Sequence, residues 1–234
     1  MVIAVGAKTD VGLKRSHNED NLCVDSDLGL YVVCDGMGGS NAGEVASRLA
    51  AETMQKHFRE ARDNADLPMI GNYDRQFSAK TNRLASAIRL ANQSIRTEAK
   101  ENTGHEGMGT TVVSVALDGP VLSIAHVGDS RIYLVRGEEI KPLTADHSLV
   151  AEQVRRGMMT EEEAERSPQK NIITRALGID ETVDVELDEI PLMRGDGVLL
   201  CSDGLTRGVK PAEILGAIRR EKEPQAASDR LVEM

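Results

Sequence analysis

The sequence predicts one α+β domain, with antiparallel strands and helices kept apart rather than alternating as parallel β-α-β units. Three observations carry that prediction. Apolar, β-branched runs open the chain, two long amphipathic segments follow, and short apolar runs then return. Asp118-Gly119 and Arg136-Gly137 fall between consecutive apolar runs, where hairpin turns belong. No internal repeat, low-complexity run or linker divides the 234 residues. That length suits a single domain, numbered 1–234, with ample chain for a core.

Each element has its own signal. Strands are expected at 2–8 (VIAVGAK), 21–25 (NLCVD) and 28–35 (LGLYVVCD), divided by turn residues. From Asn41 to about Arg62, Val45, Leu49, Met54 and Phe58 recur at helical steps. Phe77, Leu84, Ile88, Ala91 and Ile95 do the same from about Asp74 to Glu101. Strands follow at 110–117, 121–128, 131–136 and 138–143. Residues 146–178 are polar and suit short helices, with Thr160 and Glu163 spaced as a capping box. Gly157 and Gly178 suggest mobility there. Strands at about 182–190 and 197–202 come next, then helices opening at Pro211 and Pro224.

Composition excludes several functions. With 28 Lys+Arg against 38 Asp+Glu, the net charge of −10 disfavours a nucleic-acid partner. There is no Trp, and two Phe and three Tyr leave little for base stacking, so the core must be aliphatic. Cys23, Cys34 and Cys201 form no C-x-x-C pair and lie in apolar runs, as small buried residues of a reducing compartment would. No basic leader precedes an apolar run, and no apolar stretch reaches about 18 residues. A cytoplasmic protein with no membrane partner is expected.

The informative acids lie at strand ends beside glycine: Asp35 before Gly36, Asp129 after Gly128, and Asp203 before Gly204. Strand ends of one sheet can converge, and neighbouring glycines let backbone approach a ligand. Converging carboxylates need cations to stay ionised, and hard oxygen ligands favour Mg or Mn over Zn. The alternative is that each Asp-Gly is only a turn. Arg15, Glu19 and Asp20 add a cation and two acids within six residues, suited to a phosphate or to a charged surface turn. The segment Asp35-Gly-Met-Gly-Gly-Ser40 lacks the Lys-Ser/Thr ending of a P-loop, and no G-x-S-x-G elbow exists. His57 and His126 fit packing or surface roles better than ligation, and His147 could brace a loop.

The segments TDVGLKRSHNED (9–20), VVCDGMGG (32–39), GMGTT (107–111), HVGDSRIY (126–133), TADHS (144–148), ITRALG (173–178) and GDGVLLCSDGL (195–205) occur in this order. Together they resemble the metal-dependent type 2C Ser/Thr protein phosphatases, in particular the compact bacterial branch. The resemblance spans about residues 1–210. It implies a β-sandwich of two antiparallel sheets flanked by helical pairs. It also implies hydrolysis of phosphoserine and phosphothreonine in proteins by a metal-activated water, with two Mn or Mg ions and a third near Asp129. Asp35 would bridge two ions, Gly36 would ligate one through its carbonyl, Asp203 would ligate the other, and Asp129 the third. Arg15 would hold the substrate phosphate, and Glu19 and Asp20 would stand near the activated water. Residues 146–175 would form a flap beside the cleft. Met37 stands where animal members carry a His. The implied partners are phosphorylated proteins, including a bacterial Ser/Thr kinase and its substrates, and a monomer is expected.

The chain departs from the family at one point. A closing Asp-Asn motif and the last strand or strands are expected of the family and are missing after Asp203. Asp229 lies in an apparent helix and takes no ligand role. A second reading therefore stays open: an impaired or non-catalytic phosphoprotein-binding module.

Overall fold

A computed structural model describes residues 2–39 and 42–234. The chain begins with β1 (Asp20–Asp25) and β2 (Leu30–Met37), followed by α1 (Ala42–Asp63) and α2 (Ala79–Glu101). The strands β3 (Gly109–Thr110), β4 (Val112–Asp118), β5 (Val121–Val127), β6 (Arg131–Arg136) and β7 (Glu139–Pro142) come next. Two short helices, α3 (Leu149–Arg155) and α4 (Glu161–Arg166), precede β8 (Glu186–Pro191) and β9 (Gly197–Cys201). One helical turn, α5 (Asp203–Thr206), leads to α6 (Pro211–Arg220) and α7 (Pro224–Val232).

The strands form two antiparallel sheets. The larger runs β1-β2-β4-β5-β8 with β3 paired to β2, and the smaller runs β7-β6-β9. Period-2 alternation lets the larger sheet bury both faces. Leu30, Val32 and Cys34 face α1 and α2, where they meet Ala46, Ala50, Met54, Leu84 and Ile88. Tyr31 and Val33 face the other way, joining Val113, Val115 and Ile124 against Ile132, Val198 and Leu200 of the smaller sheet. Outside that sheet, α6 and α7 bury Ile214, Ala217 and Leu231 with Leu199 and Ile140. The order is helices, sheet, sheet, helices: the expected sandwich. Each fully buried Leu, Ile or Met contributes roughly 1.5–3 kcal/mol relative to exposure.

The local signals translate into structure where they are self-sufficient. Gly119 and Gly137 take φ of 58° and 59°, as the two hairpin turns require. Thr160 and Glu163 complete their capping box, and Pro211 and Pro224 open α6 and α7. Two expectations shift. The second long helix begins at Ala79 rather than near Asp74, because Ser78 caps it by accepting from the Thr81 amide at 3.2 Å. Asn82 then holds residue 74 in a turn, accepting from its amide at 2.7 Å and donating to its carbonyl at 2.8 Å. The strand expected from 182 begins at Glu186.

The strand expected at 2–8 is absent, since residues 2–11 carry no strand. A strand needs a ladder to pair with. This segment instead runs against α7, where the Gln225 amide group bonds both the Ala7 N–H (3.1 Å) and its carbonyl (3.0 Å). Lys8 pairs with Asp229 at 3.5 Å, so Asp229 is the helical surface residue its sequence suggests.

Candidate metal centre

The site stands where both sheets end together. Asp20 opens β1, and the antiparallel register places it directly opposite Asp35 on β2. Tyr31 and Val33 point into the space between the sheets, and Asp35 is next on that face. Its backbone is fixed: the Asp35 amide donates to Thr111 Oγ1 (3.2 Å), and its carbonyl accepts from the Thr111 amide and Thr110 Oγ1, both at 2.9 Å. Asp203 follows β9 and opens α5, and Asp129 lies in the crossover from β5 to β6.

Burial and mutual repulsion dominate this group. Asp35 lies within hydrogen-bonding reach of both Asp20 and Asp203. Burial, then the charges of Asp20, Asp203 and Asp129, push its carboxyl from an ordinary 3.8 up to about 8. Burial, then Asp203, pushes Asp129 up to about 6. Burial also raises Asp20, against a 2.7 Å hydrogen bond donated by Ser202, and raises Asp203, against its ion pair with Arg207. Asp129 Oδ1 is buried with no hydrogen-bond partner among the described residues. A buried, unpaired carboxylate oxygen beside three further carboxylates is a ligand set for a hard divalent cation.

The glycines let the elements close. A Cβ on Gly36 would fall on the Gly43 and Glu19 carbonyls, so the end of β2 meets the start of α1 only without side chains there. The Gly36 amide donates to the Glu19 carbonyl at 3.1 Å. The Glu19 carboxylate engages Arg15 at 3.2 Å and borders Gly43. Arg15 is 71% exposed yet lies close enough to lower the Asp20 and Asp203 carboxyls. The structure thus gathers Asp20, Asp35, Asp129 and Asp203, with Glu19 bordering α1 and Arg15 exposed.

Several residues around the site escape sequence reading. Ser202 and Arg207 hold Asp20 and Asp203, and only their nearness to Asp203 in the chain hints at this. Thr111 Oγ1 bonds Ser130 Oγ at 2.7 Å, and Arg131 grips Asp146 with two bonds of 2.9 and 2.7 Å. Glu186 gives no local signal; it meets His126 only through the β5–β8 register. All three cysteines are buried and free. Burial pushes Cys23 up to about 11 and Cys201 up to about 12, unsuited to nucleophilic work at neutral pH.

A sandwich of this order with carboxylates gathered at its seam defines a class of metal-dependent hydrolases by both fold and site. The profile described as Protein phosphatase 2C matches residues 14–232, and the chain belongs to that family. Serine/threonine phosphatase stp of Listeria innocua serovar 6a is 36% identical over 225 residues, covering 95% of this chain and 85% of that protein. Protein phosphatase PhpP of Streptococcus pneumoniae is 37% identical over 209 residues, covering 88% and 80%. The crystal structure of the serine/threonine phosphatase PstP/Ppp of Mycobacterium tuberculosis superposes with a TM-score of 0.83 at 35% identity, covering 97% of this chain and 88% of that one. A structure of the PstP catalytic domain in complex with two manganese ions superposes at 0.79, with 34% identity and coverage of 97% and 88%.

Proposed function

We propose that this protein hydrolyses phosphoserine and phosphothreonine in proteins at a dinuclear Mn or Mg centre built on Asp35. The observation that carries this reading is Asp35 itself: a buried carboxyl in reach of Asp20 and Asp203, beside the unpaired Asp129 oxygen. Asp35 would be shared between two ions, with the Gly36 carbonyl and Asp203 completing them and Asp129 serving a third. When bound, the ions supply Lewis acidity, which activates water and neutralises phosphate charge.

The chain's own groups do the rest. Asp20, fixed by Ser202, stands beside Asp35, where it would hold a proton of the attacking water, and Glu19 pairs with the exposed Arg15 at 3.2 Å. Arg15 is free enough to meet a phosphate with its planar fork of donors. Residues 146–175 would act as a flap. The excursion closes at its base through the Ser148–Ile173 bridge and the Leu177–Thr110 pair, and Thr110 is bonded to the Asp35 carbonyl.

The substrates would be phosphorylated proteins, with a bacterial Ser/Thr kinase and its targets as partners of a cytoplasmic monomer. No helix among the described residues is long and apolar enough to cross a membrane. Phosphate release from a phosphothreonine peptide, with Mn added and withdrawn, tests the reading. Turnover that needs Mn and vanishes in Asp35→Asn supports it. Turnover that persists without divalent cation, or in that variant, overturns it.

A further inference from the structure

Outside the carboxylate cluster, His126, His147 and Glu186 bring a ligand-type atom each within 4.8 Å of the others. Both imidazoles are buried and stack with centroids 4.8 Å apart and planes 18° from parallel. At first sight the trio is a second metal site. The hydrogen bonds say otherwise. The Gly128 amide donates to His147 Nδ1 at 3.1 Å, so the ring proton belongs on Nε2. Nε2 lies 2.7 Å from Glu186 Oε2 and donates to it. An ion on Nε2 would move that proton to Nδ1, against the Gly128 N–H. Arg175 comes only to 3.4 Å of Nε2 and, like it, is a donor. His126 Nε2 is likewise committed, 3.0 Å from the Ala145 carbonyl.

The trio leads toward Asp129. His147 holds Gly128 twice, because its own amide also donates to the Gly128 carbonyl at 2.9 Å. Gly128 has φ of 109°, and a Cβ there would lie 2.6 Å from Thr111. Only a bare backbone fits, and that backbone carries Asp129. Asp129 Oδ1 has no hydrogen-bond partner among the described residues, so no hydrogen bond among them fixes that oxygen and the Gly128 backbone becomes the handle on its direction.

We propose that His147, its tautomer fixed by Glu186, is the positioning residue that aims the Asp129 carboxylate at the metal centre. The proposal rests on Asp129 being part of that centre. It also gives Glu186, on the far strand β8, a role: it selects the proton position on His147, and so the acceptor that Gly128 needs. Outer partners of this kind typically change metal affinity about 10- to 100-fold.

Two conservative variants separate the two ring nitrogens. In His147→Asn, Oδ1 stands where Nδ1 was and still accepts from Gly128. In His147→Gln, the amide reaches Glu186 but offers Gly128 nothing. Mn affinity by calorimetry and exchange of the Gly128 amide by NMR read the result, with circular dichroism confirming folding. His147→Gln should lose about 10-fold in Mn affinity and unprotect the Gly128 amide, and His147→Asn should stay near wild type in both. Glu186→Ala should move both readouts in the same direction as His147→Gln, and Glu186→Gln should restore them. Equal losses in the Asn and Gln variants, or no loss in the Gln variant, would overturn the proposal. Saturable Zn binding that His126→Ala, His147→Ala and Glu186→Ala each abolish would make the trio a metal site and overturn it too. A wild-type protein that binds no Mn refutes the centre and with it the aiming role, while Gly128 exchange still reports the clamp itself.

Discussion

Asp35 is a carboxyl that the folded, metal-free protein prefers to keep protonated. Its raised value means the folded state binds more protons than the unfolded chain between pH 3.8 and about 8. The stability that this proton confers is full below pH 3.8 and is lost as pH rises through about 8. Relative to an Asp35→Asn variant, metal-free protein should therefore become easier to unfold in urea from pH 5 to pH 8, and saturating Mn should flatten or reverse that difference. A wild-type stability that rises relative to Asp35→Asn over this window would contradict the environment described for Asp35, since His57, His126 and His147, all held low by burial, are common to both proteins. Ser202 works on the same balance. Its hydroxyl favours the ionised form of Asp20, so Ser202→Ala should raise that carboxyl further and weaken Mn binding by roughly 10-fold. The loss should be larger at pH 6 than at pH 8, because the added proton competes more in acid. Calorimetry at the two pH values measures it. Asp35, Asp129 and Asp203 were legible as residues because each adjoins glycine at a strand end. Their raised carboxyls were not, since those depend on neighbours brought from other strands.

Elements whose signal is local were the most legible. The Asp118-Gly119 and Arg136-Gly137 turns fix their hairpins within a few residues, and so does the Thr160 capping box. The buried stripe of α1 was half legible. Met54 and Phe58 are in it, but the closest face uses Ala46 and Ala50, with Val45 and Leu49 only partly buried. Small residues let a helix approach the sheet, and hydrophobicity alone gives them little weight. Residues 2–8 show the opposite failure: a strand-like pattern without a ladder to join. Two substitutions test the helix layer. Met54→Ala should cost about 2–5 kcal/mol in urea unfolding, because its site is fully enclosed. Ser78→Ala should cost about 1 kcal/mol, since one cap bond is lost while Glu189 still accepts from the residue 78 amide at 2.7 Å. Near-equal costs for the two would mean the core position is less enclosed than described.

At the scale of the whole molecule, the carboxylate cluster belongs to no single segment. β1 and β2 supply Asp20 and Asp35, the crossover supplies Asp129, and the smaller sheet leads to Asp203. The seven sequence motifs were visible one at a time. What no motif displays by itself is that Asp20, Asp35, Asp129 and Asp203 gather at the seam of a sandwich, a property of strand order rather than of any motif. The Ser202–Asp20 hydrogen bond joins residues 182 apart in the chain. Contacts of that span carry a large loop-closure entropy and favour slow folding. If the seam closes only after the rate-limiting barrier, Mn finds no binding site in the transition state. Added Mn would then leave the refolding arm of a chevron unchanged and lower the unfolding arm alone. Stopped-flow measurements with and without Mn would show the ion acting as a brake on opening. The same long span that delays assembly of the centre would thereby give the finished enzyme its kinetic persistence.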